Sequence, residues 1–302
     1  MKKRISLATV GILLSMTAHA ESVTVEHSMG KTTLEQNPQR VVVIGLGVLD
    51  AVDTFGIEPI AISKVPQIPN YLEKYKAEKY GAAGSLFEPD FEKIYTLKPD
   101  LILIGPRAAK SYGELTKIAP TIVFAVDANK GYWQSTQEQW KNLGKVFDIE
   151  NKVDEKIDQL DKKFQAVRAY NQNHNLDAMT VMTNGGNITA FGADSRFSSI
   201  YQDFGFKETV PTKKNSSHGD LVSYEFIREN DPKVLLVIDR NKLTNPNDDQ
   251  GSKEFYNDLI KATQAYKNNS IAFLDLNAWY LSIAGVKATE QMISDMEKSV
   301  GL

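Results

Sequence analysis

Two segments far apart in the chain repeat one pattern, and the repeat limits the fold more than any other feature. The first runs Glu92-Lys-Ile94-Tyr-Thr-Leu-Lys-Pro99, followed by the apolar run Leu101–Ile104 and then Arg107. The second runs Glu225-Phe-Ile227-Arg-Glu-Asn-Asp-Pro232, followed by Val234–Ile238 and then Arg240. In both, isoleucine stands two residues after the glutamate, proline seven after and arginine fifteen after. A proline before a strand is common, but four features in one order point to two related lobes. A fainter echo pairs Thr54-Phe-Gly-Ile57 with Asp203-Phe-Gly-Phe206.

Between the echoes the texture changes. Residues 137–170 contain no proline and a single glycine, Gly144. Within them Val153, Ile157, Leu160, Phe164 and Val167 recur at spacings of four, three, four and three, the period of an amphipathic helix. Alone this reads as a surface helix. Its place in the middle of the chain makes it a rigid connector, expected over 149–173, between lobes at 21–148 and 174–302. Apolar runs at 41–44, 101–104 and 122–126 precede it, and runs at 179–182, 234–238 and 271–274 follow. Such runs, apolar on both faces and separated by helical stretches, indicate parallel sheets. A hairpin around Met29-Gly30 and a last helix from about 287 to 299 complete the plan. The expected class is α/β: two Rossmann-like lobes with central sheets, joined by one long backbone helix, with a ligand cleft between them. A helical connector bends little, so closure of the lobes is expected to be small.

The N-terminus indicates the compartment. Lys2, Lys3 and Arg4 precede an apolar run from Ile5 to Met16, and Ala18-His19-Ala20 gives the small-x-small pattern of signal peptidase cleavage. The run is shorter than the roughly 20 residues needed to span a bilayer. A signal peptide over 1–20, cleaved after Ala20, and a periplasmic mature chain are expected. The chain has no cysteine, which excludes a lipid anchor after the apolar run and any disulfide framework. Without Lys2, Lys3 and Arg4, the 35 Lys and Arg fall to 32 against 38 Asp and Glu, a net charge of −6. That balance argues against nucleic acid and against an anionic membrane surface. No further stretch reads as membrane-spanning, and a monomer is the expected state.

In a parallel α/β sheet, ligands bind beyond the carboxyl ends of the strands. Arg107 and Arg240 each stand just past such an end, one per lobe, and would face a common cleft. A single arginine there is ordinarily a solvated loop residue. Two at one offset in two lobes point to an anion, whose oxygens suit the planar guanidinium fork. Arg196, in Gly192-Ala-Asp-Ser-Arg196, is a third candidate, and Lys110 falls three residues after Arg107, on the same side of any helix there. Glu92 and Glu225 begin short helices, where a carboxylate interacts favourably with the helix N-terminus. Their placement, one per lobe at the end of the sheet away from the cleft, also suits docking onto a two-fold importer. His218, in Asn215-Ser-Ser-His-Gly-Asp220, and Tyr280, after the run at 271–274, are candidate metal ligands. Read alone, a loop histidine is more often a plain surface residue, and a tyrosine after a strand is more often packing.

Together these features resemble the periplasmic siderophore-binding proteins of ABC importers, in the helical-backbone class (class III, FecB/FhuD-like) and its catecholate branch of the CeuE/VctP type. The segments that carry the resemblance are Asn37-Pro-Gln-Arg-Val-Val-Val43, Glu92-Lys-Ile94 with Lys98-Pro-Asp-Leu-Ile-Leu103, and the central helix. It covers essentially the whole chain after the signal. It implies that Arg107, Arg196 and Arg240 hold an anionic ferric complex, that His218 and Tyr280 complete the iron coordination, and that Glu92 and Glu225 dock on the inner-membrane permease. It implies no intrinsic cofactor: Fe(III) arrives within a siderophore, enterobactin- or vibriobactin-like, or within a linear bis-catecholate fragment. Ferric iron favours hard oxygen donors and accepts imidazole. A tris-catecholate fills an octahedron, whereas a bis-catecholate leaves two positions for a His nitrogen and a Tyr phenolate, since a bound cation can deprotonate a ligand.

Two alternatives compete. Gly45-Leu-Gly47 after a strand has the start of a dinucleotide turn, but Leu49-Asp50 stand where its third glycine belongs. Ser217, His218 and Asp220 lie together without a Gly-x-Ser-x-Gly elbow, so an enzyme is not expected. The other alternative keeps the fold and changes the cargo to haem, cobalamin, citrate or a hydroxamate complex. Haem also takes His or Tyr ligands, but three arginines suit a multiply charged anion better. Which of Tyr132, Trp133 and Trp279 lines the cleft stays open at this level.

Overall fold

The structure, a computed structural model, describes residues 21–127, 129–211, 219–245 and 250–302. The expected signal peptide and His218 lie outside the described residues.

Strands β1 (Ser22–His27) and β2 (Gly30–Glu35) form the antiparallel hairpin and lead into β3 (Val41–Ile44), which is buried on both faces. Helix α1 (Leu46–Phe55), β4 (Ala61–Ile62), β5 (Gly81–Ala82), α2 (Phe91–Leu97), β6 (Leu101–Ile104) and β7 (Thr121–Val123) follow. The five strands make a parallel sheet in the order β5-β4-β3-β6-β7. The chain leaves β3 towards one edge and β6 towards the other. Gly45 and Gly105, just past these two central strands, therefore mark the switch point where a crevice opens.

The proline-free block holds two helices, α3 (Tyr132–Phe147) and α4 (Glu150–Asn173). Asp148, left-handed at φ 53° and ψ 45°, separates them. With 24 residues, α4 is about 36 Å long at 1.5 Å per residue. It buries the five periodic residues from Val153 to Val167.

Beyond α4 come β8 (Asp177–Asn184), β9 (Asn187–Phe191), β10 (Lys207–Glu208), β11 (Asp220–Val222), α5 (Tyr224–Asn230), β12 (Val234–Asp239) and β13 (Ile271–Phe273). Their order is β11-β9-β8-β12-β13, with β10 paired to β8. This sheet is mixed, where a parallel one was expected. Asn184-Gly185-Gly186-Asn187 folds β8 back on β9, and both glycines have positive φ, 56° and 84°, as a tight two-residue hairpin turn requires.

The last helix, α6 (Val286–Val300), joins the two halves a second time. The Asp50 carboxylate on α1 accepts from the backbone N–H groups of Lys287 (3.0 Å) and Ala288 (2.9 Å) at its start. Trp140 Nε1 donates to the Ala284 carbonyl at 2.8 Å, and the Tyr132 and Thr289 hydroxyls are 2.7 Å apart. Gly47 makes the approach possible, because a Cβ there would stand 2.0 Å from the Ile283 carbonyl oxygen. One hydrophobic core accordingly extends through both halves. An aromatic path Phe55–Trp140–Trp133–Phe164–Phe204–Trp279 crosses it with successive ring centroids 4.6–6.2 Å apart.

Candidate ligand-binding cleft

The sequence repeat becomes a structural repeat down to its caps. The N-cap of α2, Asp90, accepts from Lys93 N–H at 3.1 Å, and the N-cap of α5, Ser223, accepts from Phe226 N–H at 3.2 Å. Each helix ends on a left-handed residue, Lys98 (φ 47°) or Asp231 (φ 44°), directly before its proline. Each following strand, β6 or β12, then runs straight into a 3₁₀ turn, Pro106–Ser111 or Arg240–Leu243. Arg107 and Arg240 sit at the starts of those turns.

Both arginines meet Arg196, from the turn after β9, on a single ring. The guanidinium carbons of Arg107, Arg196 and Arg240 lie 5.7, 4.7 and 5.8 Å from the centroid of Tyr280. Tyr280 is half-buried on a π-helical turn, Asn277–Leu281, that follows β13. Such wide turns are rare and recur at functional sites. Arg107 Nη2 donates to the Tyr280 carbonyl at 2.9 Å, so a first-half arginine fixes the turn that carries the second-half tyrosine.

Electrostatics make this cluster unusual. Burial pulls the Arg107 guanidinium below its ordinary pKa; the nearby Tyr280 opposes that shift and the positive charge of Arg196 adds to it. Among the described residues none of the three arginines is in an ion pair with a carboxylate. Three like charges this close, without an ion-paired carboxylate among the described residues, form a ready site for an anion.

A cavity of about 420 Å³ opens beside them, lined by Gly45, Gly47, Gly105, Arg107, Arg196 and Tyr132, among others. Trp133 and Trp279 face elsewhere. Trp133 Nε1 donates to Asp161 at 2.9 Å and its ring stacks on Phe164, while Trp279 Nε1 donates to Asp295 at 2.8 Å. Gly45-Leu-Gly47 thus forms cleft wall and a close inter-lobe contact, which accounts for its glycines without a dinucleotide. Lys110 is exposed at the end of the Arg107 turn and, among the described residues, makes no cation–π contact with Tyr280. His218 is outside the described residues, but Gly219 after it is packed on Ala190 and Phe191, at the end of the strand from which the Arg196 turn departs. No group of three or more His, Asp or Glu stands together as a metal site among the described residues.

Glu92 and Glu225 are both exposed at the second position of their helices. Their location corrects the sequence expectation: they lie on the cleft side of the sheets, not at the far end. Asp90 N–H bonds to the carbonyl of Ala83, just past β5, which places the start of α2 at the carboxyl ends of the strands. Val222, two residues before the α5 start, is level with Ile188 and, through it, with Thr183 near the end of β8. A helix running antiparallel to the strand it precedes must begin at that strand's carboxyl end.

Sequence reasoning missed Asp50, a fully buried carboxylate, and the pair Leu86 and Phe87 beside Arg107. No motif or periodicity marks any of them.

A cleft between two α/β halves spanned by one long helix defines a substrate-binding protein of the periplasmic type. A family model described as periplasmic binding protein matches residues 41–278, and the chain belongs to that family. Among solved structures it is similar to VctP of Vibrio cholerae, described as a periplasmic catecholate-siderophore binding protein, at 65% identity and TM-score 0.90 over 92% of this chain and 100% of that one. The petrobactin-binding protein YclQ of Bacillus subtilis is 39% identical over 281 residues, 92% of this chain and 88% of YclQ. The siderophore-binding protein BauB, solved with two molecules of acinetobactin and ferric iron, is 32% identical with TM-score 0.85, over 92% of this chain and 98% of that one. These relatives are described as binding proteins and not as enzymes. No helix among the described residues is long and apolar enough to cross a membrane.

Proposed function

We propose that this chain is the periplasmic receptor of an ABC iron importer and that its cargo is a ferric catecholate siderophore, intact or as a linear bis-catecholate fragment. The observation that carries the reading is the gathering of Arg107, Arg196 and Arg240 on the Tyr280 ring, with none of the three in an ion pair with a carboxylate among the described residues. Catecholate oxygens leave a ferric complex anionic, triply so for a tris-catecholate and singly for a bis-catecholate, and guanidinium forks match such oxygens. A neutral hydroxamate complex leaves these charges without a purpose. The description of VctP supports the same cargo class.

In this reading Tyr280 and His218 fill the two iron positions that a bis-catecholate leaves open, and Lys110 adds positive charge at the rim. The signal over 1–20 delivers the chain to the periplasm. Lobes at 21–148 and 174–302 close on the ligand about the helix at 149–173. Glu92 and Glu225, exposed on the cleft side, dock on the permease so that the cleft mouth faces the transport path.

Titration of the mature protein with ferric bis- and tris-catecholates, haem and a ferric hydroxamate, followed by tryptophan fluorescence, tests the cargo. Trp133 and Trp279 lie away from the cavity, so quenching works through energy transfer to the coloured complex. Submicromolar quenching by catecholates alone is expected. Tight binding of haem or the hydroxamate, with no response to catecholates, would overturn the proposal.

A further inference from the structure

Phe87 stands where an apolar side chain has little reason to be. It is 63% exposed, although burial of such a ring is ordinarily worth about 1.5–3 kcal/mol. Its neighbour Leu86 is buried in the wall of the cavity. The turn that presents Phe87 is well tied. Ser85 Oγ accepts from the N–H groups of Phe87 (3.2 Å) and Glu88 (3.0 Å), and Ser85 N–H donates to the Glu88 carbonyl at 2.9 Å. Gly84 and Pro89 close its base as a β-bridge. The exposure is therefore built into the turn.

The ring centroid of Phe87 lies 5.9 Å from the Arg107 guanidinium, which is itself 5.7 Å from the Tyr280 ring. Among the described large apolar residues that are exposed, Phe87 is the one in contact with a cleft arginine; Phe91 and Tyr95 lie on α2 beside Glu92. An anion whose oxygens meet Arg107 comes within reach of Phe87. In a catecholate those oxygens sit directly on an aromatic ring. That ring then falls within the roughly 4.5–7 Å centroid separation at which offset or edge-to-face aromatic pairs attract. A citrate or aliphatic hydroxamate complex has no ring to offer.

We propose that Phe87 is an aromatic subsite of the cleft: its open face packs against a catechol ring of the ferric complex and favours aromatic over aliphatic iron chelates. The inference rests on the catecholate reading above and adds the residue that distinguishes this cargo from other anionic ferric complexes.

The test uses the full mature chain with Phe87→Tyr, Phe87→Leu and Phe87→Ala, titrated with a ferric bis-catecholate and with ferric citrate, and a melting curve of each variant. Phe87→Tyr is expected to bind the catecholate like the wild type. Phe87→Leu and Phe87→Ala are expected to bind it roughly 3- to 10-fold more weakly, the range of an aromatic pair. Melting temperatures should not move, because the ring is exposed, and any citrate binding should be unaffected. Wild-type catecholate affinity in Phe87→Leu and Phe87→Ala would overturn the inference. So would an equal loss for citrate, or a defect seen only in cellular iron uptake, which would assign Phe87 to the importer-facing surface. Absence of catecholate binding by the wild type would instead remove the cargo reading, and the subsite with it.

Discussion

Tyr280 serves two purposes that substitution separates. Its ring is the common surface of three arginines, and its phenol is the oxygen we propose as an iron ligand. Tyr280→Phe keeps the first and removes the second. We expect it to weaken a ferric bis-catecholate by roughly 10- to 100-fold, the scale of a lost interaction with a charged group, and a tris-catecholate far less. His218→Ala should behave alike. Equal losses for both ligands in parallel titrations would exclude direct coordination. Asp50 sets a different dependence. Burial pushes its carboxyl up to about 6, against the pull of the Ala288 and Lys287 N–H groups, the Tyr71 hydroxyl and the Lys287 charge. This exceeds the ordinary value near 4, so the folded state holds the proton more tightly than the unfolded chain. The stabilisation from that proton is complete below about pH 4 and is lost as pH rises through 6. Asp203, pushed up to about 6 chiefly by burial, acts in the same window, and burial also raises Asp295. Denaturant unfolding at pH 4 and pH 7 should show the change in stability reduced in Asp50→Asn by on the order of 2 kcal/mol. An unchanged difference would mean that Asp50 is not buried as an ionisable group.

The elements show where sequence patterns carry information and where they stop. The β6 and β12 strands, with their preceding helices and prolines, are legible because they repeat and because continuous apolar runs mark strands covered on both faces. The α4 face is legible from its period. The end of the sheet at which Glu92 and Glu225 lie is not legible from their motif alone, because it depends on the direction of each helix relative to the strand that follows. Gly47 is the element-scale contact most open to test. A Cβ there would clash with the Ile283 carbonyl, so Gly47→Ala must push α1 from the segment ahead of α6. We expect a loss of about 1–3 kcal/mol, typical of overpacking, and a melting temperature lower by several degrees. Wild-type melting would mean that the two segments are not in contact.

At the scale of the molecule, two lobes and a cleft follow from the repeat, but the second tie between the lobes does not. No periodicity announces that α6 starts on an α1 carboxylate, because that contact joins residues 237 apart in sequence. With α4, the α6 contacts and one aromatic core crossing both halves, we expect the lobes to move less than those of hinge-type receptors. Small-angle scattering should give nearly the same radius of gyration with and without a ferric bis-catecholate, because the closure on loading is expected to be small. A clear contraction on loading would contradict this rigidity. Arg107, Arg196 and Arg240 are nameable as candidates from sequence, whereas their meeting point on the Tyr280 ring requires the fold.

The most direct test of the account is the affinity of Arg107→Ala, Arg196→Ala and Arg240→Ala for a ferric bis-catecholate, measured beside the wild type at low and high salt. If the three arginines hold an anionic complex, each substitution should weaken binding roughly 10- to 100-fold, and added salt should weaken the wild type more than the variants. Wild-type affinity and wild-type salt dependence in all three variants would mean that the cleft recognises its ligand by something other than charge.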